Sequence, residues 1–545
     1  MNVQDKKGLI GWLVFGGLGL IVFVLFFSYA FPTASIDIKV SKADVLEKAA
    51  KFVQNEGFDL QGFDRTLVFG SDTNASIYLQ KTQGIKRSND LIEQGVPVWF
   101  WEVRWFKQLE KQGFYVDVDP VTGKVANFTY TLLDDAKGAH LSPRQAQTVA
   151  ENKIKGQGID LKNYELKQNT VKEQKNRTDH YFVWQKNDFA IGEANLRLAV
   201  SIYGDKLGHL RRYLKVPEEF MRSVEKELSL GQVLSMITMI FMFFLFVSAL
   251  VVLLIKFKQD QINWKFGLIF GVSIVLLSII SFANSTPLLW FGYPDTMSKT
   301  MFLTIAAGSA LIGALLLGSI ISLFGCSGES LSREVWGEKM FLLNSFKEHK
   351  NLSYNKVFQP IIIGYCLGFV LLGYMTLFYF IGTKFFNIWM PPEVEYSNIL
   401  GTSMPFLFPL TIALSAAVSE EFMFRLFAVS FLKKYLKSSY IAVFISALIW
   451  AFAHSNYPVF PAYIRGIELT IAGIIFGIVF LKYGIEAVVI AHFVIDAALV
   501  GLPLLKSHNL YFILSGLAVI CLAFIPAIFL PMFARNARLI ENIES

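Results

Sequence analysis

Long hydrophobic runs alternate with short polar connections along most of the chain, and one long polar segment interrupts this pattern. A run of about 20 apolar residues spans the hydrocarbon core of a bilayer as an α-helix, and about ten runs approach or exceed this length. They cover residues 8–31, 233–255, 265–283, 301–325, 358–382, 403–430, 440–456, 467–482, 485–503 and 511–532. The pattern predicts a polytopic α-helical membrane protein of about ten spans, with an α+β domain inserted after the first span.

The polar segment, residues 32–230, contains two similar stretches of sequence. Each begins at a serine that is typical of a helix N-cap, Ser41 or Ser142, and the two stretches align without a gap. Strand-like stretches follow each helix, and FYVDVDPVTGKVANFTY and LRLAVSIYGDKLGHLRRYL each predict a hairpin. We therefore expect two α+β modules of roughly 100 residues each.

One strand of the first module is rich in aromatic residues. Its sequence is VPVWFWEVRWF, and its aromatic residues are Trp99, Phe100, Trp101, Trp105 and Phe106. They could line a peptide groove, but alternation in a half-buried strand predicts the same residues as core. We favour the core interpretation.

Charged residues are scarce in the chain and unevenly distributed. Of the 545 residues, 54% are hydrophobic and 17% are charged, and the mean hydropathy is +0.46. These values indicate an integral membrane protein. Most of the net charge of +7 comes from Lys and Arg in alternate connections, which predicts that these connections and both termini are cytoplasmic. Residues 32–230 are then extracytoplasmic, the lipid bilayer is a partner, and no motif predicts a nucleic-acid partner.

The three cysteines predict no disulfide framework. Cys326, Cys366 and Cys521 lie in or beside hydrophobic runs, without CxxC spacing or a nearby histidine. We interpret them as small apolar packing residues.

Three predicted spans carry polar side chains, each of which is costly in a bilayer unless it is paired or faces a polar cavity. In each span, two of these residues are four positions apart, about one helical turn, which places that pair on one helix face. Counted from the cytoplasmic ends, these residues lie roughly 12 to 20 Å deep, so they can meet in one layer. They are Glu420, Glu421 and Arg425, then Trp450 and His454, and then His492 and Asp496.

The two glutamates are expected to have different surroundings. Glu421 precedes Arg425 by four residues, the favourable order for an ion pair, while Glu420 points about 100° away. One carboxylate can be held by Arg425 while the other faces a cavity. A carboxylate and imidazoles in a membrane cavity can activate a water molecule, and amide hydrolysis is one reaction that such a site supports. The alternative is structural: a buried ion pair, a packing tryptophan and histidines that link helices.

Residues 360–535 resemble the CPBP family, also called the Abi or CAAX protease family, of prenyl endopeptidases and bacterial bacteriocin-processing and self-immunity proteins. The family motifs EExxxR, aromatic-xxx-His and His-xxx-Asn/Asp stand here as Glu420–Arg425, Trp450–His454 and His492–Asp496. The resemblance implies that Glu420 and His454 activate the attacking water, while His492 and Asp496 stabilise the oxyanion. It also implies a bacterial plasma membrane as the location.

The sequence departs from the family pattern at Asp496, where CAAX endopeptidases have Asn. An ionised Asp cannot donate a hydrogen bond to an oxyanion, so Asp496 is protonated, orients His492 or helps to bind a metal. No cofactor is expected. A divalent metal such as zinc is the alternative, and its ligands would be Glu420, His454, His492 and Asp496. The sequence contains no HExxH, GxGD or GxSG motif of other proteases.

The two outer modules resemble PepSY-type domains, which occur near peptidases as regulatory or binding units. This resemblance implies that a peptide ligand could bind the modules. The complete prediction is an anchor (1–31), tandem outer modules (32–230), scaffold helices (231–357), a CPBP-type protease domain (358–535) and a cytoplasmic tail (536–545). The substrate would be a peptide or a membrane protein. The alternative function is a non-catalytic receptor or scaffold, including the self-immunity type, that binds a ligand through its outer modules.

Overall fold

The computed structural model describes residues 3–31, 38–337, 354–391 and 399–528. Long apolar helices form one part of the molecule and a single antiparallel sheet with its helices forms the other. The predicted tail, 536–545, and the end of the last predicted span lie outside the described residues.

Eight helical segments of the described residues are long and apolar enough to cross a membrane. The helices of these segments are α1 (Val3–Ala30), α5 (Glu218–Lys258), α6 (Trp264–Asn284), α8 (Lys299–Trp336), α9 (Tyr354–Phe385), α10 (Leu407–Glu420) with its continuation to Leu436, α13 (Ile464–Tyr483) and α14 (Ile485–Lys506). The short α7 (Thr286–Phe291) lies between α6 and α8. The prediction of a polytopic helical membrane protein is confirmed.

The two remaining predicted spans form shorter apolar helices, α12 (Ser439–Ala453) and α15 (Leu510–Ala523), followed by α16 (Ile525–Ile528). With 15 residues, α12 is roughly 22 Å long, less than the hydrocarbon thickness of about 30 Å. The predicted span 440–456 is therefore wrong at its C-terminal end, because the helix ends at Ala453. Beyond Ala453 the backbone is irregular, and such backbone is stable at membrane depth only where protein surrounds it.

The polar segment forms one sheet of eight antiparallel strands in the order β1-β2-β3-β4-β8-β7-β6-β5. The first half contains α2 (Lys42–Asn55), β1 (Asp64–Ser71), α3 (Thr73–Glu93), β2 (Trp99–Lys107), β3 (Glu110–Val118) and β4 (Val125–Thr131). The second half contains α4 (Pro143–Gly156), a short 3₁₀ turn (Leu161–Asn163), β5 (Tyr164–Glu173), β6 (Thr178–Ile191), β7 (Ala194–Tyr203) and β8 (Lys206–Lys215).

The sequence repeat is visible in this sheet. Ser41 and Ser142 cap α2 and α4 as predicted, and both predicted hairpins form, as β3–β4 and β7–β8. The last strands of the halves, β4 and β8, pair with each other, so the two expected modules share one continuous sheet. An isolated half would leave this edge unpaired, which explains the fusion. The PepSY-like assignment stays a prediction.

The aromatic strand β2 is buried on both faces. Trp99, Phe100, Trp101, Trp105 and Phe106 are all at most 6% exposed. These side chains are core, as favoured from the alternation.

The outer sheet is docked onto the membrane helices. The ring of Trp101 stacks on that of Phe512 in α15 at 6.3 Å, and Lys42 donates to the carbonyl of Thr402. Helix α5 leaves the sheet and enters the membrane region without a break, so the predicted boundary at residue 230 falls inside one helix. The outer domain and the membrane helices are thus linked by a continuous helix as well as by side-chain packing.

The glycines of α8 pack less than the sequence suggests. The small residues Gly308, Gly313 and Gly318 within this apolar helix predict close helix packing, but nothing lies near a Cβ position at Gly308 or Gly313. Only Gly318 makes the contact, against the backbone of Gly271 in α6. The expectation is wrong for the first two, because that part of α8 has no helix against its glycine face.

Candidate active site

Glu420 ends α10, and the helix continues as a π-helix over Glu421–Val429 before α11 (Ser430–Leu436). The wider turn of a π-helix displaces the side chains that follow it from their α-helical positions, and such segments occur frequently at functional sites. Ser446 of α12 donates from Oγ to the carbonyl of Phe424 at 2.6 Å, which ties the π-helix to its neighbour. The two adjacent glutamates thus stand where the π-helix begins.

The Glu420 carboxylate lies between two imidazole rings. Oε1 is 3.8 Å from Nε2 of His454, and Oε2 is 3.9 Å from Nε2 of His492. The indole N–H of Trp450 donates to Oε2. The Glu420 side chain is 25% exposed, so the carboxylate is accessible as well as held.

His454 follows the last residue of α12, and its ring is oriented by the backbone. Nδ1 lies 2.8 Å from the carbonyl oxygen of Trp450, which can only accept, so Nδ1 carries the proton. In the neutral ring the lone pair is then on Nε2, directed toward Glu420. In this tautomer, His454 can accept a proton through Nε2, the ring nitrogen beside Glu420.

His492 is contacted by carboxylates on both sides. Its Nδ1 donates to Oε1 of Glu421 at 2.8 Å, and its Nε2 lies 3.4 Å from Oδ2 of Asp496. The side chain of Asp496 is 28% exposed and that of His492 only 8%. The contact with Glu421 fixes the orientation of the His492 ring.

Glu421 and Arg425 form a buried ion pair on one side of the site. Their side chains are 0% and 2% exposed, with Nη1 of Arg425 2.9 Å from Oε1 of Glu421. The guanidinium lies 4.2 Å from the ring centre of Trp450 and 4.9 Å from that of Phe476. The two glutamates thus differ as expected, with Glu421 held by Arg425 and Glu420 facing the cavity.

The structure brings all six predicted site residues into one cluster, and it adds a second polar group that sequence reasoning missed. Arg465 lies 2.8 Å from Oε2 of the fully buried Glu468, and Tyr379 of α9 donates to the same oxygen at 3.3 Å. Glu468 is close enough to His454 to interact with it electrostatically. The sequence does contain a signal for this group: Glu468 is a carboxylate inside the predicted span 467–482, and it follows Arg465 by three residues.

A resident metal was the sequence-based alternative, so the donor set is tested against that chemistry. Across residues 3–31, 38–337, 354–391 and 399–528, no group of three or more His, Cys, Asp or Glu is arranged to hold a metal ion. Glu420 already accepts from the indole of Trp450, and Nδ1 of His492 is engaged by Glu421. The metal alternative stays a prediction, and no step below passes through a metal.

Residues 402–498 match the family model described as Type II CAAX prenyl endopeptidase Rce1-like. The sporulation-killing factor biosynthesis protein SkfC of Bacillus subtilis (strain 168) is 21% identical over 519 residues, which cover 92% of this chain and 96% of SkfC. That similarity therefore extends over the outer domain as well as the membrane helices. No solved structure matches the chain.

The family match spans all three polar motifs, from α10 to the middle of α14. Those motifs are the residues that form the cluster around Glu420. Residues 402–498 of this multi-pass membrane protein are therefore similar to the Rce1-like CAAX protease domain of the CPBP family.

Proposed function

We propose that the chain is an intramembrane endopeptidase that hydrolyses a peptide bond in a peptide or membrane-protein substrate. The observation that carries this proposal is the Glu420 carboxylate, which is 25% exposed and lies 3.8 Å from Nε2 of His454. A carboxylate and an imidazole at this separation can both hydrogen-bond to one water molecule at about 2.8 Å.

In the proposed reaction, Glu420 and His454 take a proton from this water as its oxygen attacks the carbonyl carbon of the scissile bond. The tetrahedral intermediate then collapses, the carbon–nitrogen bond breaks, and the proton passes to the leaving amine. The products are a carboxylic acid and an amine, so the step balances without a cofactor.

His492 is placed to stabilise the oxyanion, because its Nδ1 is anchored on Glu421 and its Nε2 faces the cavity beside Glu420. Of the three roles open to Asp496, we propose orientation of His492. The 3.4 Å separation between Oδ2 and Nε2 supports this role, since a carboxylate there favours a proton on Nε2, the nitrogen that would donate to the oxyanion.

We further propose that the protein lies in the plasma membrane with both termini in the cytoplasm and residues 32–230 outside. The basic connections support this orientation. The similar B. subtilis protein is named for the biosynthesis of a sporulation-killing factor. A precursor peptide cut during biosynthesis is therefore the substrate class that we propose here, and the outer domain is a candidate binding site for a peptide.

The test compares purified wild type with Glu420→Gln and His454→Ala on fluorogenic peptide libraries in detergent. We expect both variants to lose cleavage by at least about 100-fold, because each lacks one of the groups that activate water. Asp496→Asn should keep more activity than Asp496→Leu, because an amide can donate to the oxyanion itself. Glu225→Gln, at an exposed position of α5, is the matched control and should cleave like the wild type.

Each variant is checked for an unchanged thermal unfolding midpoint, so that misfolding is not read as lost chemistry. Cleavage that survives in Glu420→Gln would refute the mechanism, and cleavage lost with a chelator would contradict its metal-free form. A folded wild type that cleaves no peptide, including membrane-reconstituted substrates, would favour the receptor or scaffold alternative.

A further inference from the structure

A largely apolar cavity opens beside the catalytic cluster. Its empty space, counted together with the open solvent at its mouth, is about 620 Å³. Its apolar lining consists of Phe27, Phe31, Met375, Met390, Val459 and Leu499. Ligand sites in proteins are typically concave and apolar with a few polar groups that orient the ligand, and this cavity has that character.

Two residues that line the cavity lie close to the motifs of the site. Tyr457, which lines the cavity, lies three residues after His454, and the two rings are 5.6 Å apart. Leu499 lies three residues after Asp496 on α14, and residues at that spacing share a helix face. A substrate whose scissile bond lies at Glu420 therefore has a neighbouring residue at the cavity.

The cavity wall includes a helix that is not part of the matched family segment. Phe27 lies in the last turn of α1 and Phe31 directly follows this helix, which packs closely along α9. A Cβ at Gly373 would lie 2.7 Å from the Cα of Gly19, so the two backbones touch and hold α1 in place. This wall lies outside residues 402–498, so the shape of the cavity is a property of this chain beyond its matched domain.

At its polar end the cavity is lined by one charged side chain, and that charge is paired. Arg465 lines it but is paired with Glu468 at 2.8 Å, and the hydroxyl of Tyr379 lies against the same carboxylate. An apolar side chain therefore matches the cavity better than an acidic or a basic one, which would lose hydration without a free counter-charge.

We infer that this cavity is the specificity pocket, which receives a large apolar side chain, such as Phe, Leu or Met, of the substrate residue next to the scissile bond. The inference rests on the proposed function and names part of its substrate. Phe27 of the anchor helix and Leu499 of α14 set the size of the side chain that is accepted.

The experiment measures kcat/KM for paired fluorogenic peptides that differ only in having Phe or Ala beside the scissile bond. The wild type should prefer Phe by at least about 10-fold, because filling an apolar pocket with extra carbon atoms has effects of this size. Leu499→Trp fills the pocket and should reduce this preference at least 10-fold, while cleavage of the Ala peptide persists. Phe27→Ala enlarges the pocket and should shift the preference toward Trp at the same position.

Phe15→Ala is the matched control, because Phe15 lies on the same anchor helix but is 65% exposed. It should leave the Phe-to-Ala ratio unchanged. If the wild type cleaves these peptides without preference, or if Leu499→Trp leaves the ratio unchanged, the pocket assignment is wrong while the protease function stands. If a folded wild type cleaves none of them, the proposed function fails and the pocket assignment fails with it.

Discussion

At the residue scale, two carboxylates of the outer sheet face each other across neighbouring strands. Glu102 of β2 and Asp117 of β3 are register partners, and Asn127 donates to Asp117 at 2.7 Å. Burial and the negative charge of Asp117 raise the pKa of Glu102 to about 8, and burial raises the pKa of Asp117 to about 6. The folded outer domain therefore holds protons that the unfolded chain releases.

This difference predicts a pH-dependent stability. Between the ordinary Glu pKa of 4.5 and the folded value of about 8, the folded state binds more protons, so the free energy of unfolding falls as pH rises. Glu102→Gln removes this effect, and its thermal unfolding midpoint in detergent should decline less than that of the wild type across this range. Glu110→Gln, at a side chain 53% exposed, is the control. Equal declines in the wild type and Glu102→Gln would show that Glu102 is not protonated in the fold.

At the element scale, the site lies where an α-helix passes into a π-helix, between Glu420 and Glu421. Glu420 faces the cavity while Glu421, the next residue, is sealed against Arg425 and His492. The hydroxyl of Ser446 links this segment to α12, the helix that ends at His454. The relative position of Glu420 and His454 thus depends on a contact that neither residue makes.

Loss of this contact should weaken both stability and activity. Ser446→Ala leaves the Phe424 carbonyl without its interhelical donor, which costs roughly 1 to 3 kcal/mol for a buried group. We expect a lower unfolding midpoint and slower peptide cleavage. Ser327→Ala is the control, since Ser327 is also fully buried but its hydroxyl donates to Leu323 of its own helix. Equal effects of the two substitutions would mean that the interhelical contact has no special role.

At the scale of the whole molecule, the outer domain is joined to the active site through α5. This helix has 41 residues and is roughly 61 Å long, about twice the hydrocarbon thickness of a bilayer. Along its length, Glu227 accepts from the backbone of Ala462, and Ser235 donates to the carbonyl of Ala453 beside His454. The loop after His454 is thus held by the same helix that leaves the outer sheet.

The close approach of α5 to this loop gives a direct test of the connection. A Cβ at Gly231 would collide with the carbonyl oxygen of Ser455, the residue after His454. Gly231→Val should displace the loop, lowering peptide cleavage at least 10-fold with a small loss of helical content. Gly308→Val makes the same change where nothing lies near the new side chain, and it should behave as the wild type. Unimpaired cleavage by Gly231→Val would show that the loop position is not critical.

The sequence by itself determined which segments enter the membrane and which residues cluster there. Both follow from local physics: an apolar run of about 20 residues satisfies its backbone only as a spanning helix, and charges such as Glu420 and Arg425 are tolerated in it only when grouped. The spacing of four residues within each motif then places each pair on one helix face.

The tertiary structure decided how those segments meet. It ended α12 at Ala453, joined the two repeats through β4 and β8, and placed Phe27 of the first helix in a cavity beside residues more than 400 positions later. None of these could be predicted from periodicity, because the free energy of each comes from packing between elements that are distant in the chain. A local pattern predicts whether the face of a helix or strand is apolar or polar. Which other element packs against that face is determined only by the tertiary structure.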